Sequence, residues 1–249
     1  MLASMILLGQ VALLPSPVVR GHSHNDYWRK RPLAEALEAG MCSIEADVFL
    51  IDGKLKVGHD LAEATAGKTL EELYLDPLAR RELVDGKLAK GWPEVILLVD
   101  VKAEGEKVFP VLEKLVKERS RVFSTDKDVR AVRVVVSGDR PVELILGSQE
   151  GWLALDGRRS DLGKKIPVRR MPMVSESWSY VGWNKNVDLP EENLIRALNF
   201  TKYVFAEGKK SRFWGVPDRP DYWSLMKRLA VDWVNTDRPG ELREWELQG

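Results

Sequence analysis

The sequence predicts an α/β fold in which parallel strands close into a TIM (β/α)8-type barrel. Strand-like and helix-like segments alternate along most of the chain, which is typical of a parallel sheet with helical connections. The length of 249 residues suits a single barrel, since this fold takes about 250 residues. No Gly-rich dinucleotide loop follows the first predicted strand, which disfavours the alternative of an open, doubly wound sheet.

The elements follow in chain order from hydrophobic periodicity and from end signals. Apolar and acidic residues alternate from 43 to 50, which predicts a strand, and Asp52-Gly53 predicts a hairpin directly after it. Thr69 and Glu72 have the spacing of a capping box, which opens a helix over 69–83. Further strands are predicted at 18–20, 55–59, 94–101, 132–136, 142–146, 168–174, 212–216 and 233–235, and further helices at 32–39, 107–117, 190–205 and 222–229.

Composition limits the class of protein without naming it. The 38 basic and 38 acidic residues cancel, so there is no general attraction to nucleic acid or to anionic membranes, and no nucleic-acid partner is expected. Cys42 is the single cysteine, so no intrachain disulfide forms and the redox compartment is not set.

The first sixteen residues form an apolar segment apart from the barrel, which is expected to fill 17–249. This segment suits the core of a signal peptide, although no Lys or Arg precedes it. It is too short to span a bilayer, and no other segment is long and apolar enough. Export to a periplasm or to the outside is therefore favoured over the alternative, a cytoplasmic protein whose first helix packs on the barrel.

All three histidines of the chain fall at predicted strand ends. His22 and His24 follow the first strand, and His59 follows the hairpin. In a (β/α)8 barrel, the residues that carry out chemistry lie at the carboxyl ends of the strands. Placement of every histidine there therefore indicates a functional site.

Glu45 and Asp47 are two residues apart on one predicted strand, so both carboxylates face the same way. Two carboxylates in a half-buried site repel each other unless a cation lies between them. Asp100, at the end of the next parallel strand, is expected to be the third ligand. Oxygen ligands suit Mg²⁺ or Ca²⁺ better than Zn²⁺, so one divalent cation is expected, with Mg²⁺ favoured over Ca²⁺.

These residue types match the requirements of phosphodiester cleavage. The substrate is an anion that resists attack, and a cation together with Lys102 would neutralise it. Cleavage also needs one group that takes a proton and one that delivers it, and histidine suits both tasks near neutral pH. We expect His22 and His59 to be this pair. The simpler interpretation of Asp100 and Lys102 is a salt bridge. A salt bridge is compatible with Asp100 as a metal ligand and with Lys102 as the cation that faces the phosphate.

The strings GHSHNDY, IEADVFL, VGHD and LLVDVK, in this order, resemble the PLC-like phosphodiesterase superfamily. Its members include glycerophosphodiester phosphodiesterases and sphingomyelinase D enzymes, all TIM barrels. Within this superfamily the sequence resembles a bacterial and fungal branch whose members carry HSHNDY near the start. The resemblance covers roughly residues 20–105 and, more weakly, RFWGVPD and WVNTDRP near the end.

The resemblance implies a role for each matched residue. It implies that His22 and His59 are catalytic and that Lys102 faces the phosphate. It implies three metal ligands, Glu45, Asp47 and Asp100. Asp237 falls in the terminal signature. The glycerophosphodiester branch has HRG at the first histidine and Glu on the third strand, whereas this chain has GHSH and Asp100. These departures argue against transferring glycerophosphodiester specificity.

Other residues near the strand ends are candidates for substrate binding: His24, Asn25, Trp183, Trp214 and Asp237. The expected substrate is a small glycerol-derived or lipid-headgroup phosphodiester, cleaved by water or by a neighbouring hydroxyl that releases a cyclic phosphate. Two rival functions stay open. One is an amidohydrolase-like metal hydrolase, which would need further histidines; the other is a non-catalytic barrel that binds a phosphorylated ligand. The oligomeric state is not predicted.

Overall fold

The structure, a computed structural model, describes residues 14–182 and 187–248. Parallel strands curve into a nearly closed barrel, and one further strand, β3, extends β2 as an antiparallel hairpin. The barrel predicted from the sequence is confirmed. The strands are β1 (Val18–Ser23), β2 (Met41–Ile51), β3 (Lys54–Val57), β4 (Val95–Val101), β5 (Val132–Gly138), β6 (Leu153–Gly157), β7 (Met173–Ser177), β8 (Lys210–Trp214) and β9 (Val234–Thr236).

The strand order around the barrel is β8, β7, β6, β5, β4, β2, β1, β9. Closure comes between the two ends of this order, where Arg212 and Trp233 form a parallel bridge. The backbone N–H of Trp233 donates to the carbonyl of Ser211 at 3.0 Å. The barrel therefore closes through one short contact rather than through a full ladder.

The helices pack outside the strands and follow the predicted spacing in most cases. The capping box is confirmed: the Thr69 N–H donates to Glu72 Oε2 at 2.8 Å, and the Glu72 N–H donates to Thr69 Oγ1 at 3.2 Å. The helices are α1 (Ala34–Glu38), α2 (Leu61–Ala66), α3 (Asp76–Arg80), α4 (Gly105–Lys117), α5 (Val142–Gly147), α6 (Trp178–Val181), α7 (Glu191–Ala206), α8 (Pro220–Arg228) and α9 (Pro239–Gln248).

The strand predicted at 142–146 is wrong, because this segment is helix α5. Glu143 and Leu144 are both exposed and Ile145 is buried, so burial does not alternate along this segment. A short apolar run does not by itself distinguish a strand from a helix that packs one face. The sixth strand of the chain is β6, which had not been predicted. The strand predicted at 168–174 is displaced to Met173–Ser177, since Pro172 lacks the N–H that a ladder needs.

Strand register brings the polar residues together at one end of the barrel. Asp47 on β2 pairs with Asp100 on β4, and Asp100 pairs with Ser137 on β5. Below this level β4 is a buried apolar run, as expected for a strand covered on both faces. The carboxyl ends of neighbouring strands therefore present a continuous row of polar side chains above an apolar core.

Most of the predicted N-terminal apolar segment lies outside the described residues. Its described end packs on the barrel: Leu14 contacts the core, and the Pro15 carbonyl accepts from Trp92 Nε1 at 2.8 Å. In the part of the chain that the structure describes, no helix has the length and apolarity to span a bilayer. Export remains a prediction.

Candidate active site

A cleft of about 370 Å³ opens at the carboxyl ends of the strands. It brings together residues from seven strands and their following loops, which are far apart in the sequence. Several residues predicted from the sequence lie on it, together with three that were not predicted. Its lining consists of His24, Asn25, Glu45, His59, Asp100, Lys102, Ser137, Arg158, Arg212 and Trp214.

The three carboxylates predicted as ligands do converge. Glu45, Asp47 and Asp100 each offer an oxygen, and these oxygens lie within 4.8 Å of one another. Asp47 is fully buried, and burial together with the charge of Glu45 raises its pKa to about 6. Such a carboxylate is stabilised as an anion when a cation is beside it.

Lys102 lies against two of these carboxylates. Its Nζ is 2.6 Å from Asp47 Oδ2 and 2.7 Å from Asp100 Oδ2. Burial opposes the charged form, but Asp100 and Asp47 outweigh it and raise the pKa of Lys102 above its ordinary value. Lys102 is therefore a fixed positive charge on the wall of the cleft.

Asp47 has one oxygen in use and one without a partner. Oδ2 accepts from the Tyr27 hydroxyl at 2.9 Å as well as from Lys102. Oδ1 is buried and has no hydrogen-bond partner among the described residues. A buried, unpartnered carboxylate oxygen is costly unless something occupies the position beside it. Three carboxylates, one of which is Asp47 with its unpartnered oxygen, are a set of ligands that fits a hard divalent cation.

His22 lies beneath the cleft and has no exposed surface. Its Nε2 is 2.7 Å from Glu45 Oε2, and its Nδ1 is 2.7 Å from Ser43 Oγ. A neutral ring protonated on Nε2 satisfies both contacts, because it donates to Glu45 and accepts from the serine hydroxyl. Burial and the nearby charge of Arg212 lower the pKa of His22 to about 4, so the neutral form prevails at pH 7.

Arg212 completes this buried group from β8, on the opposite side of the barrel closure. Its Nη1 donates to Glu45 Oε2 at 3.0 Å and lies 3.1 Å from His22 Nε2. Burial alone would raise the pKa of Glu45, but Arg212 and His22 hold it well below its ordinary value. Glu45 is therefore an anion whose position is set by two neighbours.

His24 lines the cleft and pairs with the residue of the terminal signature. Its Nδ1 lies 2.9 Å from Asp237 Oδ1. Burial disfavours the protonated ring, yet the hydrogen bond to Asp237 and the charge of Glu45 raise the pKa of His24. Asn25, which follows it, is buried and has a left-handed backbone with φ of 42°, a conformation that asparagine adopts more readily than most residues.

His59 reaches the cleft from the loop after β3 and is exposed. Its backbone N–H donates to Glu63 Oε2 at 2.7 Å. Its ring lies against Trp28, with centroids 5.5 Å apart. The ring is thus held at the rim of the cleft without being buried.

The tryptophan predictions have different outcomes. Trp214 lies on the cleft and is half-exposed at its rim. Trp183 lies outside the described residues. Substrate binding by either remains a prediction.

Sequence reasoning missed Arg212, Arg158, Ser137 and Tyr27. Arg212 begins a predicted strand, between Ser211 and the aromatic Phe213, and a charge at a barrel strand position is the signal that identifies it. Ser137 lies on β5 and is the register partner of Asp100 on β4. Arg158 follows β6, the strand that was not predicted, so no strand end pointed to it.

Comparison with solved structures defines the class of fold. The chain resembles a glycerophosphodiester phosphodiesterase of Agrobacterium tumefaciens, with a TM-score of 0.56 and 15% identity over 90% of this chain and 99% of that one. It also resembles a phosphodiesterase of Oleispira antarctica solved with the product sn-glycerol-3-phosphate, with a TM-score of 0.56 and 12% identity over 94% and 97% of the two chains. The fold is that of the PLC-like phosphodiesterase barrels, and the resemblance predicted from the sequence is confirmed.

Sequence comparison gives a narrower relationship. Residues 14–87 match the AIM6-like phosphodiesterase domain. The chain is similar to proteins named Altered inheritance of mitochondria protein 6: 28% identical in Eremothecium gossypii, and 53% identical in Lachancea thermotolerans. It is 29% identical to a homologue in Arthroderma benhamiae. The matches include 88%, 88% and 90% of this chain and span 67%, 64% and 82% of those relatives.

Proposed function

We propose that this chain is a divalent-cation-dependent phosphodiesterase whose site is the cleft above Glu45, Asp47 and Asp100. The observation that carries the proposal is the convergence of three carboxylates within 4.8 Å beside Lys102, with one buried Asp47 oxygen unpartnered among the described residues. The phosphodiesterase fold supports the same conclusion, although fold alone does not prove an activity.

Each part of the cleft has a task in this proposal. Glu45, Asp47 and Asp100 would hold the cation, with Mg²⁺ favoured over Ca²⁺. When bound, the cation supplies positive charge that neutralises the phosphate and stabilises the transition state. Lys102 adds a second fixed charge at the same place, since its ammonium group is anchored by two carboxylates and needs no rearrangement.

Proton transfer requires two groups with access to the substrate. His59 is exposed on the cleft and suits one of these roles. For the other role, the resemblance indicates His22, whereas accessibility favours His24, because both ring nitrogens of His22 are engaged beneath Glu45. We propose that His24, paired with Asp237, delivers the proton and that His22 positions Glu45. A direct acid–base role for His22 remains a prediction from the sequence.

The proposed substrate is a small glycerol-derived or lipid-headgroup phosphodiester. A cleft of about 370 Å³ with a polar lining admits a phosphodiester and a small alcohol arm. The product complex of the Oleispira antarctica neighbour, which contains sn-glycerol-3-phosphate, supports a substrate of this size. Hydrolysis and release of a cyclic phosphate use the same residues.

Incubation of the Mg²⁺-loaded protein with a panel of glycerophosphodiesters and lysophospholipids, followed by ³¹P NMR, tests the substrate class. A monoester signal indicates attack by water, and a cyclic phosphate signal indicates attack by a neighbouring hydroxyl. Turnover of the whole panel no faster than the protein-free blank contradicts the substrate proposal.

A zinc amidohydrolase has no support in the geometry. Among the described residues, the one group of three potential ligands is the carboxylate cluster, which contains no histidine. A site of oxygen ligands alone favours Mg²⁺ or Ca²⁺ over Zn²⁺.

A further inference from the structure

Arg158 brings a second anchored cation to the cleft, on the side of β5 and β6. It follows β6 directly and lines the cleft with a side chain that is 29% exposed. Its Nη1 donates to Asp156 Oδ2 at 2.9 Å, and its Nη2 donates to Ser137 Oγ at 3.2 Å. The guanidinium is therefore fixed in orientation although part of it faces solvent.

Asp156 is the buried base of this arrangement and has no exposed surface. Its two carboxylate oxygens accept from the hydroxyls of Ser137 at 2.9 Å and Ser175 at 2.7 Å. Three neighbouring strands thus contribute one polar side chain each to hold Arg158. Such supporting contacts around one arginine are typical of a preorganised binding group.

The contacts of Arg158 leave part of its donor set free. A guanidinium carries five N–H donors in a planar fork. Among the described residues, its hydrogen bonds use Nη1 and one position on Nη2. The Nε–H and the second Nη2–H are thus left for a ligand, and a planar pair of donors matches a carboxylate or phosphate.

The position of Arg158 separates it from the proposed cation. Asp100 and Ser137 are partners on β4 and β5, and Ser137 and Asp156 follow the paired residues Val136 and Leu155 on β5 and β6. Neighbouring strands lie about 4.8 Å apart, so the backbones at Asp100 and Asp156 are roughly 10 Å apart across two strand intervals. That spacing suits two separate anionic groups better than the oxygens of one phosphate.

We propose that Arg158 binds a second oxyanion on the substrate, a carboxylate or a phosphomonoester carried by the alcohol arm. The inference rests on the proposed function and narrows its substrate class to diesters with an acidic arm. Lys102 and the carboxylate cluster remain the site of the scissile phosphate. Trp214, on the same cleft, would cover the arm between them.

Equilibrium binding tests the subsite without depending on turnover. Titration calorimetry on the Mg²⁺-loaded protein compares three ligands. Methyl phosphate has no second anionic group, phosphoglycolate has a carboxylate, and 1,2-ethanediol bisphosphate has a second phosphate. The two ligands with a second anionic group are expected to bind at least roughly tenfold more tightly than methyl phosphate, as charge-assisted hydrogen bonds provide. The ligand with the larger gain identifies the oxyanion.

Arg158→Gln should reduce the affinity for both ligands that carry a second anionic group to that for methyl phosphate, and should leave the affinity for methyl phosphate unchanged. Arg159→Gln is the matched control, because Arg159 pairs with Glu176, stacks on Tyr180 and does not line the cleft. The double variant Asp156→Asn with Arg158→Gln removes the carboxylate as well and should show the same loss of affinity. That result would show that the loss comes from the missing guanidinium and not from the unpaired charge of Asp156.

Equal affinity of the wild type for all three ligands, or no measurable binding of the two ligands with a second anionic group, overturns the proposal. So does an equal loss for all three ligands in Arg158→Gln, which would place Arg158 at the scissile phosphate. Turnover of methyl p-nitrophenyl phosphate by the wild type tests the proposed phosphodiesterase function separately. Selective binding without turnover would contradict that function while leaving the anion subsite intact.

Discussion

Lys102 Nζ lies 2.6 Å from Asp47 Oδ2, so a protein cation occupies the same group of carboxylates that is proposed to bind a divalent ion. The two charges have different tasks in the proposal, since Lys102 faces the phosphate while Asp47 is a ligand. They also compete, because each neutralises the same carboxylate. Removal of Lys102 should therefore separate cation affinity from catalysis.

Lys102→Met is expected to lower kcat/KM by about 10²–10³-fold, the range for loss of one electrostatic contact to the transition state. The same variant should bind Mg²⁺ more tightly, because no ammonium group competes for Asp47 and Asp100. Titration of turnover with Mg²⁺ after EDTA treatment measures both quantities. Lys107→Met, on the exposed start of α4, is the control. Full activity in Lys102→Met would show that Lys102 does not stabilise the transition state.

His59→Ala is expected to lower turnover of an aryl phosphodiester by about 10²–10⁴-fold, the usual contribution of one acid–base group. The melting temperature should stay near that of the wild type, because the side chain is exposed and its backbone N–H contact to Glu63 survives the change. Thermal melts and steady-state kinetics on the same preparation give both results. Unchanged kinetics would show that His59 takes no part in proton transfer.

The pair of His24 and Asp237 predicts a specific pH dependence. If His24 delivers a proton, activity falls as pH rises through its pKa, which Asp237 holds above the ordinary value. Asp237→Asn removes that support, so the descending limb of kcat/KM against pH should move to lower pH. Lys117→Gln, at the exposed ion pair with Glu150, should leave the profile in place. A limb that does not move in Asp237→Asn would contradict the assignment of His24 as the proton donor.

Arg212→Met leaves Glu45 buried without its arginine, and loss of one partner of a buried pair costs about 3–5 kcal/mol in the free energy of unfolding. Arg212 also lowers the pKa of His22, so its removal lets His22 protonate and pair with Glu45 as pH falls. The destabilisation should therefore be smaller at pH 5.5 than at pH 8.

Urea unfolding at both pH values measures this difference. Arg31→Met is the matched control, since its pair with Glu38 is exposed and screened by solvent, so its loss should change the free energy of unfolding little at either pH. An Arg212→Met penalty that is equal at both pH values would mean that His22 stays neutral without Arg212.

The sequence was most informative where local pattern and barrel geometry agree. Alternation on β2 showed that Glu45 and Asp47 share a face, and the parallel neighbour strand brought Asp100 to the same level. Because carboxyl ends of parallel strands meet at one end of a barrel, strand assignment alone was enough to bring these residues together.

Features that depend on tertiary packing were not predictable in the same way. Helix α5 was predicted as a strand because its apolar run is too short to show a period. Arg212 reaches Glu45 only because β8 closes the barrel next to β9, a relationship across 167 residues. His22 is buried beside the same contact, so its limited access to the cleft could not be inferred from its position after the predicted first strand.

The most direct test of the central claim is the Mg²⁺ dependence of bis(p-nitrophenyl) phosphate turnover, measured for the wild type and for Asp47→Asn after removal of metal with EDTA. If the three carboxylates bind a catalytic cation, neither protein turns over substrate in EDTA. Wild-type activity recovers with added Mg²⁺, whereas the activity of the variant recovers little or not at all at the same concentrations. Wild-type turnover that is unaffected by EDTA, or Asp47→Asn turnover that recovers with wild-type Mg²⁺ affinity, would contradict a cation held by these three carboxylates.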